Sequence, residues 1–87
     1  MEHKIDKHQI LKVFSKISKH GHVKSNGHVL DGIYAESDWD GYNLFLSNQN
    51  VTIRVQFHNT CKVEFKHKFH FEEFLETINK IDKTDYT

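Results

Sequence analysis

Apolar residues recur near the start of the chain at the spacing of an α-helix. Ile10, Phe14 and Ile17 fall at i, i+4 and i+7, Leu11 and Val13 flank them, and Lys7, Lys12, Lys16 and Lys19 are left toward water. This predicts an amphipathic helix from about Lys7 to Lys19, with Asp6 as its N-cap and Gly21 placed to stop it. A second stripe, Phe71, Phe74, Leu75, Ile78 and Ile81, predicts a C-terminal helix from about His70 to Asp82. Glu72, Glu73 and Glu76 would suit its N-terminal dipole. Lys83 to Thr87 reads as a frayed tail.

Between the helices the period falls to two. Tyr42, Leu44 and Leu46 alternate with Asn43, Phe45 and Ser47. Val51, Ile53, Val55 and Phe57 alternate with Thr52, Arg54, Gln56 and His58, and Cys61, Val63 and Phe65 with Lys62, Glu64 and Lys66. These are half-buried antiparallel strands. An earlier strand is expected from about Val29 to Glu36, before the acidic Ser37-Asp38-Trp39-Asp40-Gly41 turn. Ser25-Asn26-Gly27 offers a further hairpin back to a short Gly21–Lys24 segment.

Directly opposed residues share a face, so parity constrains the register. It admits Leu46 opposite Val51, Leu44 opposite Ile53 and Tyr42 opposite Val55. Around a His58-Asn59-Thr60 loop it sets Phe57 against Cys61, Val55 against Val63, Ile53 against Phe65 and Arg54 against Glu64. That last ion pair would contribute at most about 1 kcal/mol if exposed. Around Asp40-Gly41 it sets Trp39 against Tyr42 and turns Ile33 and Ala35 inward. The outer face then carries Tyr34, Phe45, Thr52, Arg54, Gln56, Lys62, Glu64 and Lys66. The predicted fold is α+β: an antiparallel four-stranded meander, with a short fifth strand left open, flanked by N- and C-terminal helices packed on one face.

Composition fits that plan. With 87 residues the chain holds one core, a single α+β domain over 1–87. Hydrophobic residues are 37% and charged residues 28%, and the mean hydropathy is -0.68; the 13% aromatic content supplies what the aliphatics lack. The apolar run Leu44-Phe45-Leu46 is three residues long, far below the ~20 of a membrane span. The leader Met1–Lys7 carries both signs of charge and no apolar stretch, so a cytoplasmic address is expected. Cys61 is the sole cysteine, in keeping with a reducing compartment. Zero net charge conceals blocks of +4, -4, +3 and -3 over residues 1–24, 25–53, 54–70 and 71–87. Such alternation fits solvated faces that attract one another within the fold, and lacks the basic excess of a dedicated nucleic-acid surface.

At Leu30-Asp31-Gly32-Ile33, Asp40-Gly41-Tyr42 and Phe57-His58-Asn59, together with its length and terminal helices, the chain resembles a family of short uncharacterised gammaproteobacterial proteins. The resemblance implies a bacterial cytoplasmic origin and a domain of unknown function. It brings no catalytic residue to carry over.

Among the eight histidines, His20 and His22, with His28 across the proposed hairpin, are the candidates for a divalent metal. They follow no established ligand spacing, and exposed polar positions at strand ends account for them as well. Together the histidines make net charge climb from near zero toward about +8 as pH falls through ~6.5. His58 beside Cys61 has the residue types of an activated thiolate, yet parity turns Cys61 to the core and His58 away. Asp38 and Asp40, on a short turn, lack the cleft that acid-base chemistry needs. No catalysis and no cofactor are therefore expected.

Tyr34 and Phe45 with Arg54, Lys62 and Lys66 supply the ingredients of a single-strand nucleic-acid platform, although Glu64 interrupts the basic residues. The same exposed rings, with Trp39 on its acidic turn, suit a protein contact surface, and an edge strand suits strand addition or self-association. The reading is a non-catalytic protein-binding or regulatory accessory domain, with single-stranded nucleic-acid binding on the outer sheet face as its alternative.

Overall fold

The computed structural model describes residues 6–38, 42–56 and 60–86. Helix α1 spans Lys7–His20. Asp6 caps it as expected, its carboxylate accepting from the His8 N–H at 2.9 Å and the Gln9 N–H at 3.4 Å. At the other end Gly21 leaves the helix in an extended conformation, and its N–H still donates to the Ile17 carbonyl at 2.8 Å.

Six strands follow: β1 His22–Lys24, β2 Gly27–Leu30, β3 Ile33–Ser37, β4 Asn43–Ser47, β5 Val51–Gln56 and β6 Thr60–Phe65. They form one antiparallel sheet in chain order. The meander is thus the expected one, but with six strands rather than four or five. The expected Val29–Glu36 strand is two strands, because Asp31 and Gly32 both adopt positive φ, +51° and +80°. That is the backbone of a tight two-residue hairpin turn whose twist matches the sheet. The Ser25-Asn26 hairpin is present as expected, with Lys24 opposite Gly27.

The register around the acidic turn is as parity set it, with Ala35 opposite Leu46 and Tyr34 opposite Ser47. Trp39, Asp40 and Gly41 themselves lie outside the described residues. The next two hairpins are each shifted by two residues. Leu46 pairs with Ile53, not Val51, and Leu44 with Val55, not Ile53. Asn48 explains the first shift: its side-chain oxygen accepts from the Asn50 and Val51 N–H groups, each at 2.8 Å, so Gln49-Asn50 alone closes the turn. Tyr42 consequently precedes β4 and is exposed, where an inward position opposite Val55 was expected. In the second hairpin Cys61 pairs with Val55, Val63 with Ile53 and Phe65 with Val51. Arg54 therefore stands opposite Lys62, and the expected Arg54–Glu64 pair does not form; Glu64 faces Thr52. A two-residue shift preserves parity, so the inward residues paired within β4, β5 and β6 keep their face.

Helix α2 spans Lys68–Lys83 and begins earlier than its apolar stripe suggests. Its first turn, Lys68-Phe69-His70-Phe71, holds no acid, so Glu72, Glu73 and Glu76 do not occupy the dipole position. Packing sets this start, since Phe71 is buried and stacks on Phe65 at 4.8 Å where β6 ends.

Both helices pack on the same sheet face. Ile10, Val13 and Ile17 of α1 and Phe71, Phe74, Ile78 and Ile81 of α2 are buried against Ile33, Ala35, Leu46, Val51, Ile53 and Val55. Each such large side chain contributes roughly 1.5–3 kcal/mol. A polar seam joins the helices. The Gln9 amide donates to Asn79 Oδ1 at 2.6 Å and Asp82 Oδ2 at 3.3 Å, and the Lys16 ammonium donates to the Ile81, Asp82 and Thr84 carbonyls at 3.3, 2.6 and 2.9 Å. The tail over residues 84–86 is not frayed. Tyr86 packs against the core, stacks on His20 at 5.4 Å, and donates its hydroxyl proton to Asp31 Oδ2 at 3.3 Å.

Candidate functional site

The face of the sheet away from the helices is defined by strand alternation and by register. Position by position, Glu36 lies opposite Phe45, Phe45 opposite Arg54, and Arg54 opposite Lys62. These residues form one row across β3, β4, β5 and β6, running from an acid through a ring to two bases. The adjacent row is His22, Val29, Tyr34, Ser47, Thr52 and Glu64. Tyr34 and Phe45 are thus diagonal neighbours, close enough for large side chains to meet. Neither is covered by a helix, and both are half-buried rather than fully exposed.

Local chemistry orders this surface. The Tyr34 hydroxyl donates to Glu36 Oε1 at 2.7 Å. That hydrogen bond, then partial desolvation and the Glu36 charge, push the Tyr34 phenol above its usual range. Glu36 is accordingly held on the β3 side of Phe45. Arg54, on the β5 side, has no hydrogen-bond or ion-pair partner among the described residues.

Of the residues expected to form a binding surface, Tyr34, Phe45, Arg54 and Lys62 are brought together on this face. Lys66 is not: β6 ends at Phe65, and Lys66 stands exposed in the bend before α2. Trp39 lies outside the described residues. Sequence patterning missed Glu36 as a member of the row, although its parity with Tyr34 carried the signal.

The imidazoles are scattered. His20 ends α1 against Tyr86, while His22 and His28, at adjacent register positions on β1 and β2, project to opposite faces of the sheet. Among the described residues no three His, Cys, Asp or Glu side chains form a group able to hold a metal ion. Cys61 is half-buried on the helix side of the sheet, where desolvation pushes its thiol up despite the nearby Lys7 charge. His58 and Asn59 lie outside the described residues.

A further cluster stands at the start of α2. There His67 lies edge-on to His70 with ring centroids 5.5 Å apart, and Phe69 lies 4.1 Å from His70. His67 and His70 border an open recess of about 630 Å³ whose other walls include the Asn48–Asn50 turn, Glu64 and Phe65. The recess is shallow and broad, without the enclosure typical of small-molecule sites.

Among the described residues no helix is long and apolar enough to cross a membrane. The model of a family described as a protein of unknown function (DUF3081) matches residues 5–87. The chain belongs to this DUF3081 family, which agrees with the resemblance drawn from its short motifs. No curated protein and no solved structure matches it significantly.

Proposed function

We propose that this chain is a non-catalytic, cytoplasmic protein-binding or regulatory accessory domain that uses the outer face of its sheet. The observation that carries this reading is the row Glu36-Phe45-Arg54-Lys62 on a face that neither helix covers. A half-buried ring flanked by charges of both signs has the anatomy of a contact centre with a polar rim. An isolated half-buried apolar residue on a soluble surface is ordinary; its placement between a carboxylate and a guanidinium is what favours recognition. The test compares tagged wild-type chain with Phe45→Ser in the native host. A partner held by the wild type and lost at least tenfold by the variant supports the reading, whereas equal recovery on both overturns it.

Single-stranded nucleic acid is the second reading, favoured by Phe45, Arg54 and Lys62 standing side by side as a ring and two cations. Glu36 and Glu64 on the same face oppose it. Titration of mixed-sequence oligonucleotides at two salt concentrations decides: salt-sensitive shifts at Phe45, Arg54 and Lys62 support this reading, and unchanged spectra exclude it.

A further inference from the structure

The acid and the guanidinium of the outer face are placed symmetrically about β4. Glu36 lies one strand to one side of Phe45 and Arg54 one strand to the other, in the same row. Consider a second copy laid face to face on this sheet. Two molecules meeting across a plane are exchanged by a two-fold axis lying in that plane. An axis running nearly along β4 lays β3 of one copy over β5 of the other. Phe45 then meets the partner's Phe45, Glu36 meets the partner's Arg54, and Arg54 meets the partner's Glu36. Tyr34, in the neighbouring row, falls over the partner's Thr52. Aligned packing of two such faces, at the angle sheet twist imposes, is one of the two standard ways in which sheets associate.

We propose that the occupant of the outer face is a second copy of this chain, paired about β4 through Phe45 with reciprocal Glu36–Arg54 contacts. The proposal rests on reading this face as a protein-binding surface and names the partner. Self-complementarity of charge is its argument. An arbitrary arrangement of one acid and one base on a sheet would set like against like or leave both unmatched after a two-fold rotation. Here the operation that brings the central ring onto itself also brings acid onto base twice. Arg54, otherwise unpartnered among the described residues, gains its counter-ion. Strands β2 to β6 take part, with Lys62 at the rim over the partner's β2, and β1 overhangs. At a strand spacing of ~4.8 Å and a rise of ~3.4 Å per residue, the covered patch is on the order of 400–500 Å² per copy. The total of about 800–1,000 Å² lies below the roughly 1,200 Å² of stable interfaces and in the range of transient ones, so a weak dimer is expected.

Sedimentation of the full chain from about 10 μM to about 1 mM tests it, the range suited to an interface of this size. The wild type should pass from monomer to dimer. Glu36→Arg and Arg54→Glu should each weaken self-association at least about tenfold, because each sets like charges face to face. An equimolar mixture of the two variants should dimerise within a few-fold of the wild type, since every contact is then between opposite charges. Unfolded variants could not produce that restoration, and thermal melts confirm each fold separately. A wild type monomeric at ~1 mM overturns self-pairing, while the Phe45→Ser comparison still judges the face as a binding surface. A dimer indifferent to both reversals, or a mixture that fails to restore pairing between folded variants, also overturns it and moves the interface to the β1 or β6 edge.

Discussion

The ammonium of Lys16 on α1 donates to the main-chain oxygen of Asp82 near the end of α2, at 2.6 Å, and reaches the Ile81 and Thr84 oxygens as well. A helix ends with carbonyls that have no partner within the helix, and here a lysine from another helix supplies donors to them. The stripe of α1 placed Lys16 toward water by its spacing alone. Its stem instead crosses the helix seam, so that one residue joins the two terminal segments of the chain.

Lys16→Met keeps most of the stem and removes the charge. The variant should lose about 1–2 kcal/mol, the scale of a charge-assisted hydrogen bond set against residual solvation. Urea denaturation would show it as a lower midpoint with an unchanged slope. Hydrogen exchange should accelerate first at Thr84 and the last turn of α2.

Asp82 predicts the acid limb of stability. Partial burial pushes its carboxyl up, but the Gln9 hydrogen bond and the Lys12 and Lys16 charges outweigh this and leave it below the usual carboxylate range. Its Oδ1 receives no well-aligned hydrogen bond and depends on the Lys12 ammonium 3.3 Å away. A lowered folded pKa means that the stabilisation is complete above the unfolded value of about 3.9 and is lost as pH falls through the folded value. Asp82→Asn should therefore reduce the melting temperature at pH 7 and flatten its fall below about pH 4. Parallel pH profiles in thermal unfolding would refute this assignment.

Two glycines separate backbone conformation from space. At Gly32, with φ +80°, an added Cβ would meet nothing, so Gly32→Ala should cost only the left-handed penalty, about 1 kcal/mol. At Gly27 the same atom would collide with the Ala35 carbonyl oxygen and press on the Tyr34 ring. Gly27→Ala should cost more than about 2 kcal/mol by forcing β2 away from β3. Equal losses in chemical denaturation would contradict the β2–β3 packing.

Cys61 should behave as a structural thiol. Desolvation raises its pKa and the Lys7 charge offsets this only in part, so less thiolate is present at neutral pH than in a free cysteine. Alkylation of the folded chain should be slower than in denaturant at pH 7.5, and the difference should narrow as pH rises. Faster reaction in the folded state would reopen the activated-thiolate reading.

Legibility of the site tracked the range of the interactions involved. Tyr34, Phe45, Arg54 and Lys62 reached the correct face because side chains alternate regardless of exact pairing. Which of them became neighbours did not follow from alternation. Asn48 closes its turn through its own side chain, and that sets the β4–β5 partners. The Glu36-Phe45-Arg54 row, with its symmetry, exists only in that register. Lys66 was misplaced because its strand parity is cancelled by a bend that the buried Phe71 imposes on the start of α2.

The α+β plan, the Asp6 cap, the two amphipathic stripes and the inward positions within the paired strands are legible in the chain alone. All of these follow from periodicity and local hydrogen bonding, which act within a few residues. Only long-range packing decided that six strands form rather than four or five, that Tyr86 closes onto His20 and Asp31, and that Lys16 caps α2. It also set a carboxylate and a guanidinium on either side of one phenylalanine. Those outcomes depend on competition between packing and turn geometry among distant residues, and no local period encodes which competitor prevails.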